Sequence, residues 1–112
     1  MKIIREKIAL SDLKKMSHTF GNMVKGVVDV DKGLIALDAE LHSDLEALLI
    51  EDGSGQRNLW GINLYPEIEG DDFIEFDSMI NMRPSQGNRT RGINKEEIRK
   101  KIIDLVEKRV EK

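Results

Sequence analysis

Residues 23–40 read "MVKGVVDVDKGLIALDAE", and this stretch decides the class of fold. Two runs of aliphatic and β-branched residues flank "DKG", where Gly33 is available for the positive φ of a tight turn. The pattern predicts a β-hairpin and therefore an antiparallel sheet. Val24, Val28 and Val30 share one face with Gly26, whose missing side chain points to a bulge or to close approach by the first helix.

The same alternation returns further along the chain. "NLWGINLYP" (58–66) and "DFIEFDSMINM" (72–82) predict a second hairpin, with Pro66 and Gly70 bounding an acidic connection. Setting Ile62 against Phe76 places Leu64 opposite Ile74 and Trp60 opposite Ser78, all on one face. Asn63, Glu75, Asp77, Asn81 and Arg83 then form a polar stripe on the other face. Such a stripe is either the floor of a site or the solvated side of a half-buried sheet. Trp60 reads most simply as a core or interface anchor.

Helices are expected between and after these ribbons. "KIIREKI" (2–8) is a first strand, and "SDLKKMSHTFG" (11–21) a short helix capped by Ser11 and stopped by Gly21. "HSDLEALLIEDG" (42–53) has Ser43 and Glu46 in capping-box spacing and ends at Gly53, although "EALLIED" is short enough to read as a strand. "NKEEIRKKIIDLVEKRVEK" (94–112) carries Ile98, Ile102, Leu105, Val106 and Val110 at helical spacing, with Asn94 as its cap. Its acids come early and its bases late, as the helix dipole favours. The fold class is α+β: a single domain with about five strands in a mainly antiparallel sheet and two or three helices packed on one face.

Composition narrows the function classes. The 112 residues suit one domain, and 39% hydrophobic with 35% charged residues fits a globular chain. There is no cysteine, which excludes disulfides, thiolate catalysis and zinc–thiolate sites and suits a reducing cytoplasm. No apolar run approaches the roughly 20 residues of a membrane span, so no membrane partner is expected. The opening "MKIIREKIALSDL" places charges where a signal peptide needs its apolar stretch.

The net charge of −3 conceals a segregation. Residues 1–26 carry six Lys/Arg against two Asp/Glu, residues 27–77 two against fourteen, and residues 78–112 ten against five. An acidic middle between basic ends either balances across the folded surface or serves homo-oligomer formation.

Three constellations could carry chemistry. The first is "NMRPSQGNRTRG" (81–92), rich in Asn, Arg and Gly and free of acids. Pro84 cannot continue a ladder, so the strand should end near Arg83 and leave a loop in which Gly87 and Asn88 suit tight turns. Asn81, Arg83, Asn88, Arg89 and Arg91 are the candidate residues for an anionic ligand or an acidic protein surface, beside a helix N-terminus. The loop has no aromatic residue and the chain is net negative, which weakens the case for nucleic acid. The competing reading pairs these arginines with the acidic middle and leaves no site.

The second constellation is "LDAELHSDLE" (37–46). On a strand, Asp38, Glu40 and His42 would project to one side and could hold a divalent metal, giving a small metal-dependent hydrolase. The bland alternative is a solvated acidic face, and no other cofactor is indicated. The third constellation is the polar stripe already described. "EDGSGQR" (51–57) follows a helix rather than a strand and so lacks the context of a phosphate-binding loop. No Ser–His–acid pattern supports nucleophilic catalysis.

"MKIIREKI", "ELHSDLEALLIEDGSGQRNLWGINLYP" and "INMRPSQGNR" together resemble a small family of prokaryotic proteins of unknown function and about this length. The resemblance extends over the whole chain. It implies a self-contained prokaryotic domain and supplies no activity, cofactor or catalytic residue. The expected function is a non-enzymatic binding module, with the metal-dependent enzyme and the self-associating structural protein as rivals.

Overall fold

The computed structural model describes residues 1–112. Its central hairpin is the one the opening pattern predicts. Strand β3 (Val24–Asp29) pairs antiparallel with β4 (Leu34–Leu37), Val28 opposite Ile35 and Gly26 opposite Leu37. Gly33 has φ +71° and donates its N–H to the Asp29 carbonyl at 2.9 Å. The buried Asp29 carboxylate braces the turn from inside. It accepts the N–H groups of Asp31 and Lys32, each at 2.9 Å, and the Ser54 hydroxyl at 2.6 Å. A Cβ on Gly26 would lie 3.1 Å from Leu37 Cδ2 and 3.4 Å from Ile62 Cγ1, so the close approach comes from the flanking strands and not from a helix.

Strands β1 (Lys2–Ile4), β5 (Leu59–Leu64) and β6 (Ile74–Glu75) complete a five-stranded antiparallel sheet in the order β1-β4-β3-β5-β6. The segment expected as one strand over residues 2–8 breaks after Ile4. Residues Ile8–Ala9 form β2, which pairs in parallel with β7 (Val110–Glu111) at the other end of the chain. Arg109 secures this junction by donating to the carbonyls of Gly33 (2.9 Å) and Glu6 (3.3 Å). A pair this distant in sequence leaves no periodic trace.

Three helices pack against the sheet: α1 (Leu10–Ser17), α2 (His42–Glu51) and α3 (Glu96–Arg109). They occupy both faces, which corrects the expectation of one. Leu13 of α1 and Ile102 and Val106 of α3 bury with Val24, Val28, Ile35 and Ile62. Leu45 and Leu49 of α2 bury on the other side with Val27, Leu34, Ala36 and Leu59. The reason lies in the runs themselves. β4 reads Leu-Ile-Ala-Leu, apolar on both faces, and β3 carries Val27 beside Val28, so both faces of the sheet hold apolar side chains that need cover. Burying Leu45 and Leu49 contributes on the order of 1.5–3 kcal/mol each.

No helix is capped as its sequence suggests. Each starts away from the expected residue, at Leu10, His42 and Glu96, and none of the three has a side-chain cap. Ser11 and Ser43 lie inside the first turns. Glu46 turns from its expected capping role to pair with Arg83. Asn94 donates its N–H to the Asn88 side chain at 2.8 Å.

The second hairpin keeps the predicted register, with Leu64 opposite Ile74 and Asn63 opposite Glu75, but its second strand stops there. Residues 76–78 run on irregularly, and Met79–Asn81 form a 3-10 turn. This bend brings Ser78 so close over β5 that a Cβ on Gly61 would meet Ser78 Cβ at 2.5 Å. The Asn81 amide replaces the missing ladder: it accepts from Gly61 N–H at 2.8 Å and donates to Gly61 C=O at 3.0 Å.

Candidate functional site

The Asn/Arg/Gly loop divides into two parts. Its first part is scaffold. Asn81 is fully buried on Gly61, and its amide also reaches the Arg91 carbonyl at 3.0 Å. Asn88, 3% exposed, donates to the carbonyls of Asn81 (2.6 Å) and Gly92 (2.8 Å). Between them Arg83 and Asn88 close a small bridge around the 3-10 turn Pro84–Gln86, with Gly87 left-handed at φ +78°.

Arg83 is enclosed as well. Its side chain is 10% exposed, its Nη2 meets Glu46 Oε2 at 3.3 Å, and its Nε donates to the Ile80 carbonyl at 3.0 Å. The guanidinium lies over the Trp60 ring at 4.9 Å. Burial lowers its pKa, against the opposing pull of Glu46, and it stays a cation at neutral pH. Nη1 is buried without a partner.

The second part of the loop faces outward. Arg89 is exposed and makes no hydrogen bond or ion pair through its side chain. Arg91 donates its Nε to Asp77 Oδ1 at 2.6 Å, with its side chain 53% exposed. Four of the five ion pairs join a basic end of the chain to its acidic middle.

The residues expected to hold a metal do not come together. β4 ends at Leu37, Asp38 adopts φ +72°, and His42 is already helical, so the three share no strand face. No group of three His, Asp or Glu side chains in the chain is placed to hold a metal ion. Glu40 is exposed, and its main-chain carbonyl accepts from Lys25 Nζ at 2.6 Å.

His42 contributes to a different site. A cleft of about 580 Å³ opens between the start of α2 and the β5–β6 ribbon. His42, Asn63, Tyr65, Glu75, Asp77 and Arg91 line it, with Lys25 at one side. It thus joins Arg91 of the first constellation and His42 of the second to the polar stripe. The stripe is there because Asn63 pairs with Glu75 in register, and Tyr65 follows Asn63 on the same face. Asn63 donates to Glu75 Oε1 (2.9 Å) and to the Asp77 carbonyl (3.2 Å), and the Tyr65 hydroxyl donates to the same Glu75 oxygen at 2.9 Å.

The electrostatics of the cleft are specific. His42 Nε2 lies 2.9 Å from the Ile62 carbonyl, so it carries the proton and leaves Nδ1 as the lone-pair nitrogen. Burial lowers the His42 pKa, helped by the Lys25 charge. The Ile62 hydrogen bond, the neighbouring Asn63 amide and Asp77 oppose that shift. The imidazole is therefore neutral at pH 7. Tyr65 moves the other way: burial, the hydrogen bond to Glu75 and the two carboxylate charges raise its pKa. Asn63 is 4% exposed, and its Oδ1 satisfies hydrogen-bond geometry with no group. Leu41 and Met79 stand exposed on the rim, at 53% and 64%.

The arrangement can receive hydrogen bonds at His42 Nδ1 and can give them from the Nη groups of Arg91. The sequence signals for it were uneven. Alternation marks Asn63, Glu75 and Asp77, and one further step along the strand reaches Tyr65. Nothing in the sequence links Glu46 to Arg83 or brings Lys25 to His42.

No helix of the chain is long and apolar enough to cross a membrane. Comparison with curated proteins and with solved structures finds no match. A family model covers residues 2–109, and over that span the chain belongs to the family described as "Protein of unknown function (DUF5674)".

Proposed function

We propose that the protein is a non-enzymatic binding module. It takes an anionic, hydrogen-bonding partner through Arg91, at the mouth of the His42–Asn63 cleft, and through the exposed Arg89 of the same loop. One observation carries this reading: of the three loop guanidinium groups, Arg83 is enclosed, whereas Arg91 commits only its Nε and Arg89 commits nothing. An arginine with unused Nη donors is suited to carboxylate or phosphate. Lys25, whose ammonium meets a carbonyl and no carboxylate, adds a second positive charge beside the cleft. The absence of cysteine fits a reducing prokaryotic cytoplasm as the setting.

The test is retention on phosphocellulose at low salt. The native protein is retained, and Arg89→Ala with Arg91→Ala elutes in the flow-through while keeping its native unfolding midpoint. Arg83 is left intact, because its loss would damage the fold. A native protein that runs straight through the column ends this proposal.

A further inference from the structure

Two carboxylates and two cations line the His42–Asn63 cleft: Glu75 and Asp77 against Arg91 and Lys25. Their commitments differ. Asp77 is held by Arg91, whereas Glu75 pairs with no cation. Its two donors are neutral, and both fall on one oxygen. Asn63 Nδ2 and the Tyr65 hydroxyl each reach Oε1 at 2.9 Å, which leaves Oε2 to solvent. Asn63 Nδ2 also donates to the Asp77 carbonyl at 3.2 Å, and so keeps the two acids on adjoining parts of the wall.

The floor repeats the imbalance. Asn63 is buried, its Nδ2 is spent on the β6 side, and its Oδ1 has no donor. That amide lies close enough to the His42 ring to raise its affinity for a proton. The ring's one proton, however, is already given to the Ile62 carbonyl at 2.9 Å, so His42 brings Oδ1 none. A buried acceptor without a donor marks a place where something outside the chain can supply one.

These acceptors restrict the kind of anion that Arg91 can hold inside the cleft. A plain anion there meets the charge of Glu75 and Asp77 and offers Asn63 no N–H. A plain cation leaves the Nη groups of Arg91 unused. A ligand with both signs serves both. Leu41 and Met79, exposed on the rim, add an apolar surface, and a methionine adapts readily to what it covers.

We infer that the cleft binds a free apolar amino acid of about the size of leucine. The ammonium donates to Asn63 Oδ1 and Glu75 Oε2, the carboxylate accepts from the Nη groups of Arg91, and the side chain lies against Leu41 and Met79. A space of about 580 Å³ holds such a molecule. The carboxylate contact rests on the anion-binding reading above. The ammonium contact stands on Asn63 and Glu75.

The test is titration of leucine, isocaproate and isopentylamine into ¹⁵N-labelled protein, followed by NMR. Leucine shifts the Asn63 side-chain amide and the His42 ring signals. Isocaproate lacks the amine and isopentylamine lacks the acid, and each binds about tenfold more weakly. Glycine, without the apolar side chain, is weaker by about the same factor. Glu75→Gln keeps an oxygen for Asn63 and Tyr65 but removes the charge. It weakens leucine about tenfold and strengthens isocaproate, whereas damage to the cleft would weaken both. Isocaproate bound as tightly as leucine, or leucine indifferent to Glu75→Gln, overturns the amino-acid site and leaves the anion-binding reading standing. Leucine that shifts no signal, in a protein still retained on phosphocellulose, does the same. No shift and no retention overturns both.

Discussion

Residues 81–88 and residues 89–91 form one loop with one composition, yet they do opposite work. In the first part Asn81, Arg83 and Asn88 turn inward and replace hydrogen bonds that a regular strand would have made. In the second part Arg89 and Arg91 turn outward, Arg91 at the mouth of a cleft. The difference teaches that a density of amide and guanidinium groups marks a place where the backbone leaves its ladder. Whether such a group is scaffold or contact depends on which of its donors the bend consumes. The scaffold half must therefore govern stability, and the contact half must leave it alone.

The sharpest break in that comparison is Asn81→Ala. It strands the Gly61 N–H and C=O and the Arg91 carbonyl together in a buried place. Each unmatched buried group costs about 1–3 kcal/mol, so the loss should reach about 4 kcal/mol. Urea unfolding measures it directly. A loss under about 1 kcal/mol would mean that water reaches Gly61 freely and that Asn81 is no scaffold.

Arg83→Met comes next. It removes one partner of an ion pair whose side chains are 10% and 14% exposed. The abandoned Glu46 carboxylate then costs about 3 kcal/mol. Arg83→Met with Glu46→Leu should recover most of that loss, because an apolar pair replaces a desolvated one. Failure of the double variant to recover would shift the weight from the ion pair to the stacking of Arg83 on Trp60.

Gly61→Ala tests the bend itself. The new methyl would fall 2.5 Å from Ser78 Cβ. Overpacking of this kind costs about 1–3 kcal/mol. Ser78→Gly removes the obstructing atom, so in the double variant Gly61→Ala should cost much less. Equal costs with and without Ser78→Gly would show that the two positions do not touch in solution.

How much of this was legible in sequence follows the range of each interaction. The hairpin at Gly33 and the register of Leu64 on Ile74 are local, and alternation with one turn residue specifies both. The full coverage of the sheet was written in "LIAL", four apolar residues with no polar alternate, although the helices were expected on one face alone. Capping failed for a different reason. Ser11 and Ser43 have the right chemistry, but the helices begin before them and Glu46 finds a partner far along the chain. The cleft was legible in pieces. Asn63, Glu75 and Asp77 followed from register, Arg91 from the loop, and His42 was singled out for a metal that its neighbours cannot share.

His42 sharpens the cleft side of the comparison. Its pKa is lowered in the fold from an ordinary value of about 6.5. The unfolded chain therefore binds the proton more readily. The stabilising share of His42 is fully present above that ordinary value and is lost as pH falls through the folded value. Urea midpoints should decline from pH 7.5 to pH 5.5 more steeply in the native protein than in His42→Gln. Proton NMR should show the His42 ring titrating below the ordinary imidazole value of about 6.5. A His42 ring that titrates above that ordinary value would mean that the imidazole is charged at the cleft floor, and the neutral Nδ1 acceptor would be lost with it.

The smallest effect on stability belongs to Arg89→Ala, and it divides the two halves of the loop most cleanly. Arg89 is exposed and its side chain has no partner, so its removal should change stability by no more than about 0.5 kcal/mol. It should nevertheless lower the salt concentration at which the protein leaves phosphocellulose, because an exposed cation acts on an anionic surface through screened charge. Arg89→Lys should restore most of the retention, since charge is kept and no bidentate pocket is lost. A loss of stability comparable to that of Asn81→Ala would place Arg89 on the scaffold side. Unchanged retention would leave Arg91 alone to hold the anion, and the contact half of the loop would shrink to the one guanidinium that also answers to Asp77.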